Sequence, residues 1–254
     1  MKKGDSIVLI VPVGPVRTDA NDRAEQCTQA LAGEQAVVLN TGKKDWVLIQ
    51  LESDGYTGWV DRKQWASPAD DSGATFILQA PFSAWLRSDG ALMHYPAGSR
   101  LLRDDAGHWS LNGNGLEPVE PVGRALEVAE DAVDATEQFI GAPYLWGGKT
   151  VAGFDCSGLV QVAWKLTGHD VPRDASQQAE VGELIPWGKQ QRGDVVFFQN
   201  EADKVVHVGV LIDATTIVHA AGEVRVDSLL PEGIQRDDRL THAFHSIRRW
   251  SLKG

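Results

Sequence analysis

The sequence predicts two small all-β barrels followed by an α+β domain, and three observations carry that expectation. Residues from about 6 to 66 are short β-branched runs separated by Gly, Asn and Asp turns. Residues from about 74 to 122 repeat the same landmarks more weakly. Near residue 123 the pattern changes to helical periodicity, and helix-like and strand-like runs then alternate to the end. A chain of 254 residues has room for two or three domains. The expected boundaries are 1–70, 71–122 and 123–254.

In the first barrel, Ile7 to Val11 reads as an opening strand. Val37-Val38-Leu39 and Trp46 to Leu51 follow, separated by the turn Asn40 to Asp45. Asp54-Gly55-Tyr56-Thr57-Gly58-Trp59-Val60 reads as a hairpin that feeds a last strand. In the second barrel, Ala97-Gly98 ahead of Leu101-Leu102 and Trp109 matches Ala32-Gly33 ahead of Val37-Val38-Leu39 and Trp46. The Trp residues read as core plugs, because a barrel this small needs large side chains to fill its centre. Leu116 to Gly123, with Pro118 and Pro121, reads as a linker. A helix is expected over Ala125 to Ile140, with positions 125, 126, 129, 132, 133, 136 and 140 on one face and a solvated acidic face opposite. Gly141-Ala142-Pro143 ends it.

Composition excludes several function classes. Apolar residues at 43% and charged residues at 23% describe a folded chain. With 24 basic against 35 acidic residues the net charge is −11, which repels phosphate backbones and anionic membrane surfaces. No segment approaches the roughly 18 apolar residues that span a bilayer. The N-terminus has Lys2 and Lys3, but its apolar run is short and Asp5 precedes it, unlike a secretory signal. The chain as given is therefore expected in the cytoplasm; a chain shorn of its signal, and so periplasmic or extracellular, would look the same. Two cysteines, Cys27 and Cys156, make no disulfide framework and no CxxC zinc motif. No metal or cofactor is expected.

Chemistry concentrates in the last stretch. Phe154 to Gly168 reads as a helix that Asp155 caps and Gly168 stops. Cys156 then lies in the first turn, where free N–H groups and the helix dipole favour a thiolate, the nucleophilic form. The other reading is a buried structural thiol. The approach Trp146-Gly147-Gly148, then Gly153, argues for an exposed turn instead. A nucleophilic Cys needs a base. Val205 to Ala220 reads as strand, turn at Asp213 to Thr215, and strand. With the turn centred on residue 213 or 214, His207 falls opposite or nearly opposite His219, so both imidazoles can share one face. One can take the thiol proton and the other can hold the first in the right tautomer.

Tyr144-Leu145-Trp146-Gly147-Gly148 and Phe154-Asp155-Cys156-Ser157-Gly158-Leu159-Val160 resemble the catalytic signature of the NlpC family of bacterial cell-wall cysteine peptidases. Pro172 to Gln178, Arg192 to Phe198, His207 to Val210 and Val218 to Ala220 resemble its further blocks, in the same order. The resemblance implies a papain-like α+β domain with Cys156 as nucleophile, His207 as base and His219 as the orienting third member. Two SH3-like barrels ahead of it resemble the γ-D-glutamyl-L-diamino acid endopeptidases, which cut murein peptides after L-Ala-γ-D-Glu and require a free N-terminal L-Ala. Glu25 to Gln29 with Gly33-Glu34, and Gly55 to Trp59, resemble the first barrel of that subgroup. In it a Tyr and a carboxylate, here Tyr56 and Glu25, meet the substrate amine.

That amine is cationic at neutral pH, so acids such as Asp155 and Glu25 suit it. The resemblance also places Tyr144 and Ser157 near the amine or the attacked carbonyl. The Cys156 N–H and the Tyr144 hydroxyl would be the oxyanion donors. Arg173, Asp174 and Ser176 fall in a substrate-side block; Arg173 faces either a substrate carboxylate or Asp174. Trp146 is either a pocket wall or a core plug, and Cys27 a small buried hydrophobe. The implied partner is a murein peptide, L-Ala-γ-D-Glu-diamino acid, handled by a monomer in peptidoglycan recycling, with no nucleic acid or membrane. The alternatives are an extracytoplasmic cell-wall hydrolase anchored by its barrels, a non-enzymatic murein-peptide binder, and an acyltransferase or amidase on the same scaffold.

Overall fold

The computed structural model describes residues 1–251, apart from the side chain of Arg124. The chain divides into two compact units, residues 1–128 and 129–254. The break lies just beyond the expected linker.

In the first unit β1 (Ser6–Leu9), β2 (Val13–Arg17), β3 (Gln26–Leu31), β4 (Gln35–Thr41), β5 (Trp46–Leu51), β6 (Thr57–Asp61) and β7 (Trp65–Ala66) form one sheet, in the order β3-β2-β6-β5-β4-β1-β7. A second sheet comprises β8 (Ala74–Ile77), β9 (Phe82–Arg87), β10 (Leu92–Pro96), β11 (Arg100–Arg103), β12 (Trp109–Leu111) and β13 (Asn114–Pro118), in the order β10-β9-β13-β12-β11-β8. Aligning β8 with β1, β9 with β2 and so on maps one order onto the other, so the repeated landmarks reflect one topology used twice. Both Ala-Gly pairs make the same turn. Ala32 and Gly33 donate to the carbonyls of Pro12 and Leu9, and Ala97 and Gly98 donate to those of Pro81 and Leu78. Gly33 and Gly98 sit at φ of +78° and +86°, where a side chain is strained.

The Trp expectation holds in part. Trp65 is buried among Ile7, Leu9 and Ile49 in the first core, and Trp85 meets Trp109 edge to face at 5.4 Å in the second. Trp46 and Trp59 are only half-buried and lie outside the first core. Aliphatic residues on alternate positions of β4, β5 and β6 already fill that barrel.

The long helix is not formed. Val122–Ala125 is a single 3-10 turn, and the α-helix α1 covers only Ala132–Glu137. Ala125 and Leu126 pack into the second barrel, so the periodic stripe had joined positions from two separate cores. The helix starts late because the Asp131 carboxylate accepts from the Val133 and Asp134 N–H groups at 2.8 and 2.9 Å, which caps it there.

The second unit continues with β14 (Lys149–Thr150), β15 (Gly153–Phe154), α2 (Cys156–Leu166), α3 (Ala175–Gln178), β16 (Glu183–Leu184), β17 (Val195–Gln199), β18 (Val205–Leu211), β19 (Thr216–Ala221), β20 (Glu223–Leu230), β21 (Gly233–Arg236) and β22 (Arg239–Arg249). β22 pairs with both β17 and β21, so six strands close into a barrel, with β16 added at β22. The inner face carries Val196, Phe198, Leu211, Ile217, Leu229 and Ile234. Alternation places Val208, Val210, Val218 and Ala220 on the other face, and α2 packs on β18 and β19 there. Among the described residues no helix is long and apolar enough to cross a membrane.

Candidate active site

The turn before α2 is close-packed rather than open. Gly147, Gly148 and Gly153 are buried, which corrects the expected exposed turn. A Cβ on Gly148 would stand 2.2 Å from the Gly153 carbonyl oxygen, and one on Gly158 would stand 2.2 Å from the Gly148 carbonyl oxygen. The glycines are there to let backbone meet backbone. Asp155 fixes the turn: Oδ1 accepts from the Gly158 N–H at 2.7 Å, and Oδ2 from the Gly147 N–H at 2.8 Å and from Arg173 at 2.5 Å.

Arg173 is 2% exposed, and its other Nη donates to Ser157 Oγ at 2.7 Å. Its guanidinium therefore builds the floor under Cys156 together with Asp155 and Ser157. Gln178 adds to that floor by donating to the Ser157 carbonyl at 3.1 Å. Asp174 caps α3, and Ser176 is exposed. Trp146 is 60% exposed, beside exposed Leu145 and Tyr144, so it is no core plug. Glu25 and Tyr56 lie in the first unit. Glu25 is exposed ahead of β3, and Tyr56 is half-buried against the barrel core, its N–H donating to Asp54.

Cys156 opens α2 and is 8% exposed. Burial, and then the charge of Asp155, push its thiol up to about 11, although the N–H groups of Val208 and Ser157 and the Arg173 charge pull the other way. The expected resting thiolate is thereby corrected. Desolvation and a carboxylate next door outweigh the helix end. Tyr144 is pushed up to about 12 by burial, then by Cys156 and Asp155, so its hydroxyl stays protonated near the sulfur.

The Val208 N–H points at the sulfur, and His207 precedes it on β18. Gly209 pairs with His219, so the turn centres on residue 214 and His207 lies two residues along from the position opposite His219. That diagonal keeps both rings on one face. The missing side chain of Gly209 leaves the space between them, since a Cβ there would lie 2.9 Å from His219 Cβ. His207 Nε2 meets His219 Nδ1 at 2.8 Å, and His219 Nε2 meets Asp227 Oδ2 at 2.9 Å. Arg225 Nε donates to the same oxygen at 2.8 Å. His242 stacks on His207, with ring centroids 4.1 Å apart and planes 24° off parallel.

Burial lowers all three imidazoles. His207 falls well below the ordinary value, with His242 and His219 adding to the effect. His219 falls to about 4 despite Asp227, and His242 falls with help from Arg225. At neutral pH the cluster is a set of neutral rings able to pass a proton.

Nitrogens of His207, His219 and His242 lie within 4.8 Å of one another, close enough to suggest a metal. The ring planes argue otherwise. A ligating imidazole keeps the metal in its own plane, and two nearly stacked rings direct their lone pairs side by side rather than to a common point. The arrangement suits a hydrogen-bond relay.

Sequence reading missed Gly209, Arg225, Asp227 and His242. The signal for the acids and bases of β20 was the alternation of Arg225, Asp227 and Leu229. Leu229 faces the barrel interior, so its two polar companions face inward with it.

The profile of the NlpC/P60 family matches residues 141–242, which contain Cys156, His207 and His219, and that of the bacterial dipeptidyl-peptidase SH3 domain matches residues 16–64. Residues 141–242 form an NlpC/P60 cysteine peptidase domain. A γ-D-glutamyl-L-lysine dipeptidyl-peptidase of Bacillus subtilis is 28% identical over 212 residues, covering 76% of this chain and 71% of that one. One of Bacillus cereus is 27% identical over 233 residues, covering 80% and 70%. An NlpC/P60 family crystal structure from Bacillus cereus superposes with a TM-score of 0.79 at 19% identity, covering 97% of this chain and 99% of its own. The chain thus has the expected fold class: an α+β domain, rich in strand and matching the NlpC/P60 family over residues 141–242, preceded by SH3-like barrels.

Proposed function

We propose that the protein hydrolyses the bond between γ-D-Glu and the diamino acid of murein peptides that carry a free N-terminal L-Ala. The observation that carries this reading is the His207–His219 pair, bonded at 2.8 Å beside the strand amide that faces Cys156, within an NlpC/P60 domain preceded by a dipeptidyl-peptidase SH3 domain. The relatives named γ-D-glutamyl-L-lysine dipeptidyl-peptidase support the bond and its position in the stem.

With the thiol pushed up to about 11 and His207 neutral, no ion pair stands ready in the free protein. The proton leaves Cys156 for His207 Nδ1 as the sulfur attacks the γ-glutamyl carbonyl carbon. His207 Nε2 is already engaged by His219, so Nδ1 is the nitrogen left for the thiol. The oxyanion takes the Cys156 N–H and the Tyr144 O–H. The C–N bond then breaks, and His207 passes the proton to the departing amine of the diamino acid. Water, deprotonated by His207, attacks the thioester, releases L-Ala-γ-D-Glu as its acid and returns the proton to the thiol.

Substrate selection follows from charge. Asp155 has three close donors, and Oδ1 also takes the Ser157 hydroxyl at 3.4 Å, the longest of these four contacts. It can still accept from an ammonium group. In intact murein the L-Ala nitrogen is an amide, so a site that needs the free amine acts on released stems. That is the chemistry of recycling, which we place in the cytoplasm.

Purified protein is given L-Ala-γ-D-Glu-diamino acid tripeptide and its N-acetylated form, and products are identified by mass. The expected result is L-Ala-D-Glu and free diamino acid from the first and no cleavage of the second. Equal cleavage of both overturns amine recognition.

A further inference from the structure

Beyond the three residues of the catalytic relay, Asp227 and Arg225 form a device that the proposed mechanism has not used. Alternation along paired strands puts His207, His219, Arg225 and Asp227 on the inner face of the closed barrel, on three successive strands β18, β19 and β20. Two diagonal steps connect them. His207 reaches His219 across one strand pair, and His219 reaches Asp227 across the next.

The chain of bonds has a direction set at its far end. An ionised carboxylate has only lone pairs to offer, so His219 Nε2 must carry the hydrogen that lies between it and Asp227 Oδ2, at 2.9 Å. A neutral imidazole carries one hydrogen, so His219 Nδ1 is a bare lone pair and accepts. The hydrogen in the 2.8 Å contact then belongs to His207 Nε2. By the same rule His207 Nδ1 is bare, which is the form a base needs in order to take the thiol proton. Burial works against ionisation of Asp227, but Arg225 and His219 hold its carboxyl below the usual range. The pair is itself nearly buried, with Asp227 at 7% and Arg225 at 15% side-chain exposure. Since the guanidinium Nε and His219 donate to the same oxygen, that atom is kept an acceptor.

We propose that Asp227, locked by Arg225, is a positioning residue that sets the tautomer of the catalytic base two hydrogen bonds away. This rests on the reading of His207 as the base of the Cys156 nucleophile. The proton inventory balances: one hydrogen sits on each imidazole before attack, the thiol hydrogen moves to His207 Nδ1, and the same hydrogen leaves with the amine.

The test uses the full chain with 15N-labelled histidine, whose ring shifts report which nitrogen is protonated, together with steady-state cleavage of the free tripeptide. In the native protein both His207 and His219 should carry hydrogen on Nε2. In Asp227→Asn, Arg225 still demands an oxygen at that spot, so the tautomers should persist and most of the rate should survive. In Asp227→Ala, His207 should populate the Nδ1–H form and kcat should fall roughly 100-fold or more, with KM little changed, because general-base assistance is worth about 10²–10⁴. Should Asp227→Ala not fold, the double variant Asp227→Asn with Arg225→Met takes its place. Its amide is free to turn, and His207 should then show mixed tautomers. A native His207 protonated on Nδ1, or tautomers unmoved in the Ala or double variant, overturns the proposal. The spectra are read without substrate, so a failure to cut γ-glutamyl peptides counts against the proposed function alone.

Discussion

A methyl group on residue 209 adds nothing to the groups assigned to substrate, yet it should slow the enzyme about tenfold. In Gly209→Ala the new Cβ would stand 2.9 Å from His219 Cβ and 2.8 Å from the Val218 carbonyl oxygen, whereas ordinary contact begins near 3.4 Å. Either β19 or the His219 ring must retreat by roughly 0.5 Å, as no rotamer relieves a backbone oxygen. The His207–His219 bond of 2.8 Å would then stretch toward about 3.3 Å, past the useful range. A misplacement of about 1 Å costs on the order of 10²-fold in rate, so half of that predicts about a tenfold fall in kcat. Overpacking should also lower stability by about 1–3 kcal/mol. Steady-state cleavage of the tripeptide gives the first quantity, and urea unfolding gives the second. A folded Gly209→Ala protein with kcat within twofold of the native value would refute the diagonal relay.

Other perturbations probe the electrostatics. With its thiol pushed up to about 11, Cys156 should show no thiolate absorbance at neutral pH relative to Cys156→Ala, and alkylation should quicken as pH rises; a thiolate signal at pH 7 contradicts this. His219 is held at about 4 against an ordinary 6.5, so between those values the unfolded chain binds a proton that the folded one refuses. Stability should therefore drop as pH falls from 7 toward 4, by at most roughly 3 kcal/mol, and this part of the drop should vanish in His219→Gln. Urea midpoints across that range decide it. Arg173→Met removes the cation from a buried pair with Asp155 and should cost about 3–5 kcal/mol, seen as a lowered melting temperature; an unchanged melt would contradict the floor described for Cys156.

The sequence was informative where local chemistry dictates structure. The Asp155 cap and the two-strand hairpin around residue 214 are short-range features, each fixed by residues close to one another in the chain. It misled where one pattern served two masters. Ala125 and Leu126 fit a helical stripe because they face a barrel core, and the Gly-rich approach to Cys156 signalled intimate packing, not openness. The thiol expectation failed because a helix end can be read from spacing, whereas burial by a distant strand cannot. Arg225 and Asp227 carried a signal in their alternation with Leu229, but His242 was illegible for a related reason. Its place beside His207 depends on barrel closure by β22, a pairing of residues far apart in the chain.

The most direct measurement is tripeptide hydrolysis by folded Cys156→Ala and Cys27→Ala proteins beside the native one. Loss of cleavage in the first and full activity in the second is the result expected if the sulfur at the start of α2 does the chemistry. Hydrolysis that survives in Cys156→Ala would contradict it.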